Sequence, residues 1–457
     1  MATGLSREHR NWRYRIFALT WIAYAGFYLC RKNFAIAKVP LAEYFGFDNW
    51  QLSIIWSAYL FTYAIGQFVN GFLGDVKGPR FMVGLGLFVA VTTNILCGFG
   101  ESVGVFAILL GLNGLAQSTG WSANVKCMAW WFRIIERGRV MSWWCTCYVV
   151  GGIFATWFAA ELYDYYSASL QNSAGEAVAA ASAWKIIFWG PALVLLIINI
   201  AYVLFLRNSP EDAGLAEIDE FEGMNTNNGE NAVETTQAAF LDEAERKEKE
   251  RTATREALRR VFKSRTVWIY GIVYFVLKFI RYGMLSWLPK YAVDELGYDL
   301  KSSALLSLGF EALGFLGVLF AGYMSDKVFS ARRTPICALM IGGLVIACLL
   351  QSQIAYWGMG FYFLGLCLIG FSLYGPDALM TGAAAQDFGS KRAAAMCAGI
   401  INGIGSFGAL LQEPLIGWAT TTYESAWSWL FFVFAGLSVL ATVVISFTWN
   451  DVPKRQM

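Results

Sequence analysis

The stretch that decides the fold is Gly71-Phe-Leu-Gly-Asp75-Val-Lys-Gly-Pro-Arg80, which returns in the second half of the chain as Gly322-Tyr-Met-Ser-Asp326-Lys-Val-Phe-Ser-Ala-Arg332-Arg333. Both copies lie between two long apolar runs, and both end in arginine. A loop that is repeated in this setting indicates a duplicated helical membrane protein. In such proteins the two repeats surround a site near the middle of the bilayer.

The overall composition is that of a chain immersed in lipid. It has 457 residues, of which 57% are hydrophobic and 15% charged, and its mean hydropathy is +0.48. Soluble domains are about 25% charged, and a helix needs about 20 mostly apolar residues to cross a bilayer. We therefore predict an all-α polytopic membrane protein with twelve transmembrane helices in two six-helix pseudo-repeats. The predicted spans are 15–41, 50–74, 80–99, 103–131, 138–162, 184–206, 266–292, 300–325, 335–354, 357–386, 393–420 and 426–449.

One long polar segment separates the two sets of six spans. We predict an N-terminal six-helix bundle over 1–206, a cytoplasmic linker with a charged helix over 207–265 and a C-terminal six-helix bundle over 266–457. Arginine and lysine are concentrated in the loops on the side that holds both termini and the linker. Basic loops stay in the cytoplasm, so we expect cytoplasmic termini in a bacterial inner membrane or an organellar membrane.

Catalytic and metal chemistry finds no support in the sequence. His9 is the single histidine, and the nine cysteines lack the spacing of a metal site. The net charge is only +2, and the basic residues are spread among loops. We expect no enzyme, no cofactor, no metal and no nucleic-acid partner, and we expect a monomer in the lipid bilayer.

Two arginines occupy matching places inside apolar runs. Arg31 and Arg281 precede the aspartates of the repeated loop by 44 and 45 residues, respectively. An arginine stays charged at any ordinary pH, and one placed in a bilayer costs at least about 2.5–3.5 kcal/mol on insertion scales. For Arg31 the alternative is snorkelling to the surface, since Lys32 and Lys38 follow it. Two arginines from two repeats predict a site for a doubly charged, oxygen-rich anion such as phosphate.

The repeated loop resembles the signature of the major facilitator superfamily. Within it, the chain resembles the organophosphate:phosphate antiporters, which include hexose-phosphate and glycerol-3-phosphate transporters and the eukaryotic sugar-phosphate exchangers. The resemblance lies in Tyr28-Leu-Cys-Arg31-Lys32-Asn33-Phe34, Asn113-Gly-Leu-Ala-Gln117-Ser-Thr-Gly120-Trp121, Ile280-Arg281-Tyr282-Gly283 and Tyr374-Gly375-Pro376. It implies exchange of a phosphate monoester for inorganic phosphate by alternating access.

The substrate class that the resemblance favours is hexose 6-phosphate. Pro376-Asp377-Ala378 and Gly399-Ile-Ile-Asn402-Gly403-Ile-Gly405-Ser406 are more similar to the hexose-phosphate members and the eukaryotic exchangers than to the glycerol-phosphate members. Gln67 stands where the glycerol-phosphate members carry lysine, and Tyr148 where they carry histidine. Lys278 stands one turn before Arg281, where those members usually have tyrosine.

The resemblance also implies the binding site. It matches the two arginines to phosphate-binding arginines and four tyrosines to pore tyrosines. We predict that Lys278 replaces the missing cation, although pairing with Glu311 or Asp377 is an alternative. Four polar residues either line the pore or join helices through hydrogen bonds: Gln67, Asn113, Gln117 and Tyr148. The predicted substrate-binding residues are Arg31, Arg281, Lys278, Tyr24, Tyr28, Tyr63, Gln67, Asn113, Tyr148 and Tyr374.

The charged residues of the repeated loop predict a cytoplasmic gate, formed by charge pairs and helix-end contacts. Its predicted members are Asp75, Arg80, Asp326, Arg332 and Arg333. In the mechanism that we expect, the two arginines repel each other in the empty site, and a phosphate dianion removes the repulsion. Closure then requires an occupied site in both directions, which favours exchange.

Two other functions fit the same sequence. A hexose-phosphate sensor of the same fold would bind the ligand and signal without carrying it. A proton-coupled facilitator for organic anions would use Glu311, Asp377 or Glu413 as its proton site.

Overall fold

The computed structural model describes residues 6–176, 178, 182–216, 218, 243–298, 300–423 and 425–451, and the regular elements formed there are helices. The predicted all-α class is confirmed. In chain order the helices are α1 (Arg7–Phe27), α2 (Leu29–Phe45), α3 (Asn49–Lys77), α4 (Pro79–Cys97), α5 (Val103–Gln117), α6 (Thr119–Trp131), α7 (Arg137–Ala174), α8 (Ile186–Phe205), α9 (Glu243–Lys263), α10 (Arg265–Asp294), α11 (Leu300–Lys327), α12 (Arg333–Ile354), α13 (Met359–Thr381), α14 (Ala383–Thr422) and α15 (Ala426–Ser446).

Helices cover all twelve predicted spans. In the part of the chain that the structure describes, nine helical stretches are long and apolar enough to cross a bilayer, and the longest, Met359–Thr420, contains two predicted spans. The predicted spans 15–41 and 300–325 are helical as well. The count of twelve crossings stays a prediction. The charged helix of the linker is present as α9, whereas residues 217 and 219–242 lie outside the described part.

The chain divides into two compact units that largely follow the two sequence halves. Unit 1 comprises Met1–Arg133, Val150–Lys263 and Gly389–Gly399, and unit 2 comprises Ile134–Val149, Ser264–Phe388 and Ile400–Met457. These bounds differ from the predicted division at the linker by two short exchanged segments. The start of α7 joins the unit formed by the second half of the sequence, and a segment inside α14 joins the unit formed by the first half.

The two units pair equivalent helices. In unit 1, α3 packs along α5, and in unit 2, α11 packs along α13. Glycines allow both close approaches: a Cβ atom on Gly114 would strike the carbonyl oxygen of Tyr59, and one on Gly317 would strike that of Phe371. Small residues at such crossings let the backbones of membrane helices come together. The shared pairing is that expected of the predicted repeat.

Candidate substrate-binding site

Arg31 follows a break in the first predicted span. Helix α1 ends at Phe27, and Cys30 has φ −98° and ψ 19°, outside helical geometry. The carbonyl oxygen of Cys30 accepts hydrogen bonds from Asn113 Nδ2 (2.7 Å) and Gln117 Nε2 (3.0 Å) on α5. A broken helix at membrane depth needs such partners for its freed backbone groups. The two amides therefore stabilise the break next to Arg31.

The Arg31 guanidinium lies among tyrosine rings. Its Cζ atom is 4.7 Å from the ring centre of Tyr28, 5.9 Å from that of Tyr59 and 4.9 Å from that of Tyr63. Its Nε donates to Gln117 Oε1 at 2.9 Å. Cation–π contacts and a neutral acceptor hold the group without cancelling its charge. Among the described residues no carboxylate pairs with Arg31, and its buried Nη2 has no hydrogen-bond partner.

Two further predicted residues of unit 1 lie near this cluster. The Tyr24 ring packs edge-on against Tyr28 at 6.1 Å and against Trp121 at 5.1 Å, and is thus behind the ring that contacts Arg31. Gln67, one turn after Tyr63 on α3, is fully buried. Neither polar atom of its amide has a hydrogen-bond partner within the described part of the chain. An unsatisfied buried amide is costly unless something binds it.

Arg281 has an equivalent aromatic setting in unit 2. Its Cζ atom is 4.7 Å from the ring centre of Tyr148 and 4.3 Å from that of Tyr374. Unlike Arg31, it has a carboxylate partner: Nη1 donates to Asp377 Oδ2 at 2.8 Å. Its Nε is buried and has no hydrogen-bond partner among the described residues. Asp377 therefore balances the charge of Arg281.

Lys278 lies one turn before Arg281 and is 5% exposed. Its ammonium donates to Asn402 Oδ1 at 2.6 Å and to Ser406 Oγ at 3.1 Å, both on α14. Asp377, considered as its partner from the sequence, is taken by Arg281. Lys278 is thus held by two uncharged side chains of α14.

The three candidate proton carriers differ in burial. Asp377 is 2% exposed, Glu311 is half-buried and Glu413 is exposed, where it accepts a hydrogen bond from Gln412. Of these three carboxylates, Asp377 is the one for which the described residues show a hydrogen bond with a predicted binding residue, Arg281.

Asp75 binds the start of a helix from the other half of the sequence. Its carboxylate accepts hydrogen bonds from the backbone N–H groups of Ala395 (3.2 Å) and Met396 (2.6 Å), just after α14 departs from helical geometry at Ser390 and Ala393. Lys126 Nζ is 3.3 Å from the same carboxylate. A negative charge at a helix N-terminus is favourable. Asp75 thus explains why Gly389–Gly399 belongs to unit 1.

Asp326 makes the equivalent contact in unit 2. It accepts hydrogen bonds from the N–H groups of Gly138 (3.2 Å) and Arg139 (2.8 Å) at the start of α7. A Cβ atom on Gly138 would collide with Asp326 and Arg333, so a larger residue would displace these two side chains. Arg333 forms an ion pair with Asp326 and another with Asp387, at 2.7 Å, and Arg137 reaches Asp387 at 3.1 Å.

Arg80 and Arg332 lie outside these two networks. Arg80 donates through Nε to the carbonyl oxygen of Val203 at 2.6 Å and through its N–H to Asn208 Oδ1 at 2.8 Å, which ties the start of α4 to the end of α8. Arg332 Nε is 3.4 Å from the carbonyl oxygen of Phe329 in its own loop. Their local contacts are with helix ends rather than with the loop aspartates.

The geometry adds residues that were absent from the predicted site. Gln117 and Tyr59 contact Arg31, and Tyr59 Oη donates to Gln117 Oε1 at 3.1 Å. Asp377 contacts Arg281. One signal was available in the sequence: Gln117 follows Asn113 by one helical turn and Tyr59 precedes Tyr63 by one, so each pair shares a helix face.

Residues 20–412 match the sequence model of a protein family, the Major Facilitator Superfamily. The chain belongs to this superfamily. A probable hexose phosphate transport protein of Chlamydia pneumoniae is 30% identical over 462 residues, which cover 99% of this chain and 94% of that protein. The glycerol-3-phosphate transporter of Bacillus subtilis (strain 168) is 29% identical over 452 residues, covering 98% and 94%. These relatives confirm the predicted place in the organophosphate:phosphate antiporter group.

A solved structure shares the fold. The MFS proton:xylose symporter XylE bound to 6-bromo-6-deoxy-D-glucose gives a TM-score of 0.67 at 14% identity, and 97% of each chain is covered. At this identity the likeness concerns the fold alone. The protein is an integral, multi-pass membrane protein of a transporter family and not an enzyme.

Proposed function

We propose that the protein is an antiporter that exchanges a sugar phosphate, hexose 6-phosphate by preference, for inorganic phosphate by alternating access. One observation carries the proposal. In each unit an arginine of a membrane helix lies against tyrosine rings and retains a buried guanidinium nitrogen without a hydrogen-bond partner among the described residues: Nη2 of Arg31 and Nε of Arg281. Unsatisfied donors of a permanent cation are suited to phosphate oxygens.

In the proposed cycle one phosphate group binds both arginines. The ligand replaces the missing acceptors on Arg31 and Arg281 and thereby brings the two halves into the closed, exchanging form. Since Asp377 neutralises Arg281, the charge that most needs an anion is that of Arg31. Lys278, held by Asn402 and Ser406, adds a second positive charge beside Arg281.

The organic part of the substrate is proposed to contact uncharged groups. Gln67 offers an amide donor and acceptor that are unused within the described residues. The aromatic rings that lie against the two arginines are proposed to contact the organic part as well. These rings are those of Tyr28 and Tyr63 at Arg31, and of Tyr148 and Tyr374 at Arg281. Asn113 has both ends of its amide engaged, with Cys30 and Gln117, so its proposed role is to position Arg31, and Tyr24 supports Tyr28.

The repeated loop is proposed to act as the gate. Asp75 and Asp326 each bind the start of a helix from the other sequence half, so these bonds would have to break and form as the cycle proceeds. Arg333 secures Asp326, whereas Arg80 and Arg332 fix the adjoining helix ends. We propose that these loops and both termini face the cytoplasm, as the basic residues predict.

The test is counterflow in proteoliposomes. Vesicles that contain the purified chain are loaded with radiolabelled phosphate and diluted into glucose 6-phosphate, glycerol 3-phosphate, phosphoenolpyruvate, phosphate or buffer alone. We expect the fastest release with glucose 6-phosphate and phosphate, and little release into buffer. Binding of glucose 6-phosphate without any release would identify a sensor instead of a carrier. Release into buffer that equals release into every phosphate compound would contradict obligatory exchange.

A further inference from the structure

Asp377 is a buried charged residue of unit 2. It is 2% exposed and lies within the sequence segment Tyr374-Gly375-Pro376-Asp377-Ala378 on α13. Its Oδ2 accepts the hydrogen bond from Arg281 at 2.8 Å. Its Oδ1 is buried and has no hydrogen-bond partner in the described part of the chain. Among the described side chains, Arg281 is therefore the one whose hydrogen bond stabilises the charge of this carboxylate.

The other titratable groups around Asp377 come from four helices. The groups that lie beside it are Tyr274 on α10, Cys145 and Tyr148 on α7, and Tyr374 on its own helix. Glu311 on α11 lies near Tyr374, and Lys278 on α10 donates to Asn402 and Ser406. Arg281 is thus the cation whose hydrogen bond holds Asp377. When a dianion binds Arg281, the single positive charge of the guanidinium has to compensate both the dianion and Asp377.

We propose that Asp377 takes up one proton when a phosphate dianion binds Arg281, and releases it when the ligand leaves. This inference rests on the proposed function. A buried carboxylate next to a dianion is repelled by it and has lost part of its compensation from Arg281, and a buried charge without compensation protonates instead. Once protonated, the carboxyl can donate a hydrogen bond from an oxygen to the phosphate, which its charged form cannot do.

The proton balance is simple. A water-borne proton on the loading side forms an O–H bond with one Asp377 oxygen, and the same bond breaks to water on the side where the ligand leaves. No electron transfer is involved. Exchange of one dianion for another moves no net proton, because each direction carries one. The step that reveals the proton is therefore ligand binding rather than exchange.

The experiment is calorimetric titration of glucose 6-phosphate into the full-length, detergent-purified chain, in two buffers with different ionisation enthalpies. At about pH 8 a phosphate monoester is already dianionic, because its second pKa is about 6. The dependence of the binding enthalpy on the buffer gives the number of protons taken up. We expect about one proton per ligand for the wild type and close to none for Asp377→Asn. Glu311→Gln is the matched control and should behave as the wild type.

Infrared difference spectra supply a second measurement that does not require Asp377→Asn to fold. Ligand binding to the wild type should produce the band of a protonated carboxyl group, and Asp377→Glu should shift its frequency while keeping proton uptake. Binding without proton uptake, or equal uptake by wild type and Asp377→Asn, would overturn this inference and leave the proposed exchange intact. A wild type that neither binds nor exchanges any phosphate compound would instead overturn the proposed function.

Discussion

Asp75 and Asp326 hold equivalent positions in the repeated loop, and each accepts two backbone hydrogen bonds at the start of a helix from the other half of the sequence. Their side chains differ in support. Asp75 has Lys126 at 3.3 Å, whereas Asp326 has Arg333, which also binds Asp387. The two networks therefore have the same arrangement along the chain but a different charge balance. Lys126 compensates one buried carboxylate, whereas Arg333 compensates two.

This inequality predicts that Arg333→Gln destabilises the protein far more than Arg332→Gln. Arg333 is 1% exposed, and its loss leaves Asp326 and Asp387 with fewer partners. Removing one member of a buried ion pair costs about 3–5 kcal/mol, which corresponds to a fall of roughly 5–10 °C in the unfolding midpoint. Arg332, whose Nε is 3.4 Å from a carbonyl oxygen of its own loop, should change stability by about 0.5 kcal/mol or less.

Thermal unfolding of the two variants in the same detergent measures the difference. Lys126→Gln is a further comparison, because Lys126 serves one carboxylate rather than two, and it should fall between the two arginine variants. Equal midpoints for Arg333→Gln and Arg332→Gln would contradict the assignment of Arg333 to a buried network.

The sequence predicted more of the helices than of the pairings. Apolar runs are local, so the spans and the two arginines could be found directly. The Arg281–Asp377 ion pair depends on the relative rotation of α10 and α13, which are far apart in the chain, and the sequence could offer only Lys278 as an alternative partner for Asp377. The exchange of Ile134–Val149 and Gly389–Gly399 between units depends likewise on contacts between distant segments.

The predicted site was incomplete for a similar physical reason. Asn113 and Gln117 were both candidates for lining a pore or for joining helices. Because the first span breaks at Tyr28–Cys30, a carbonyl oxygen becomes available to both amides. The segment Tyr28-Leu-Cys-Arg31 contains neither a proline nor a pair of glycines, so no residue in it predicts the break. Gln117 therefore emerged as the Arg31 acceptor only from the geometry.

Replacement of Arg31 or Arg281 by lysine should reduce phosphate exchange by about 100-fold or more, since a point charge cannot reproduce the planar fork and a desolvated charged contact is worth 2–5 kcal/mol or above. The positive charge is retained, so general folding and membrane insertion should change little. Initial rates of radiolabelled phosphate exchange in proteoliposomes measure the effect. Lys32→Gln, which changes an exposed cation next to Arg31, is the control and should exchange normally. Normal exchange by both lysine variants would rule out bidentate binding.

Gln117→Glu should make exchange more dependent on pH than it is in the wild type. Gln117 Oε1 accepts from Arg31 Nε at 2.9 Å, so the substitution puts a carboxylate of the same shape on the arginine and cancels the charge that the phosphate needs. Exchange should be slow at neutral pH and should recover as the pH falls, because protonation removes the new negative charge. Exchange rates from about pH 5 to pH 8 test this, with Asn113→Asp as the comparison, since Asn113 binds Cys30 and Gln117 rather than Arg31. A ratio of variant rate to wild-type rate that stays constant over this range would argue against a functional contact between Gln117 and Arg31.

Gln67→Leu should separate a binding role from a structural one. Gln67 is fully buried on α3, and neither its Oε1 nor its Nε2 has a hydrogen-bond partner among the described residues. Leucine has nearly the same volume and no polar atoms, so the variant should be as stable as the wild type or more stable by about 1 kcal/mol. If the amide binds the organic part of the substrate, KM for glucose 6-phosphate should rise about tenfold, while exchange of phosphate for phosphate stays nearly unchanged.

Asn70→Leu is the matched control one turn further along, because Asn70 donates to Ser118 and to the carbonyl oxygen of Leu115 and its loss should lower stability instead. A Gln67→Leu variant that loses stability, or that keeps the KM of the wild type, would show that the amide serves the fold and not the substrate.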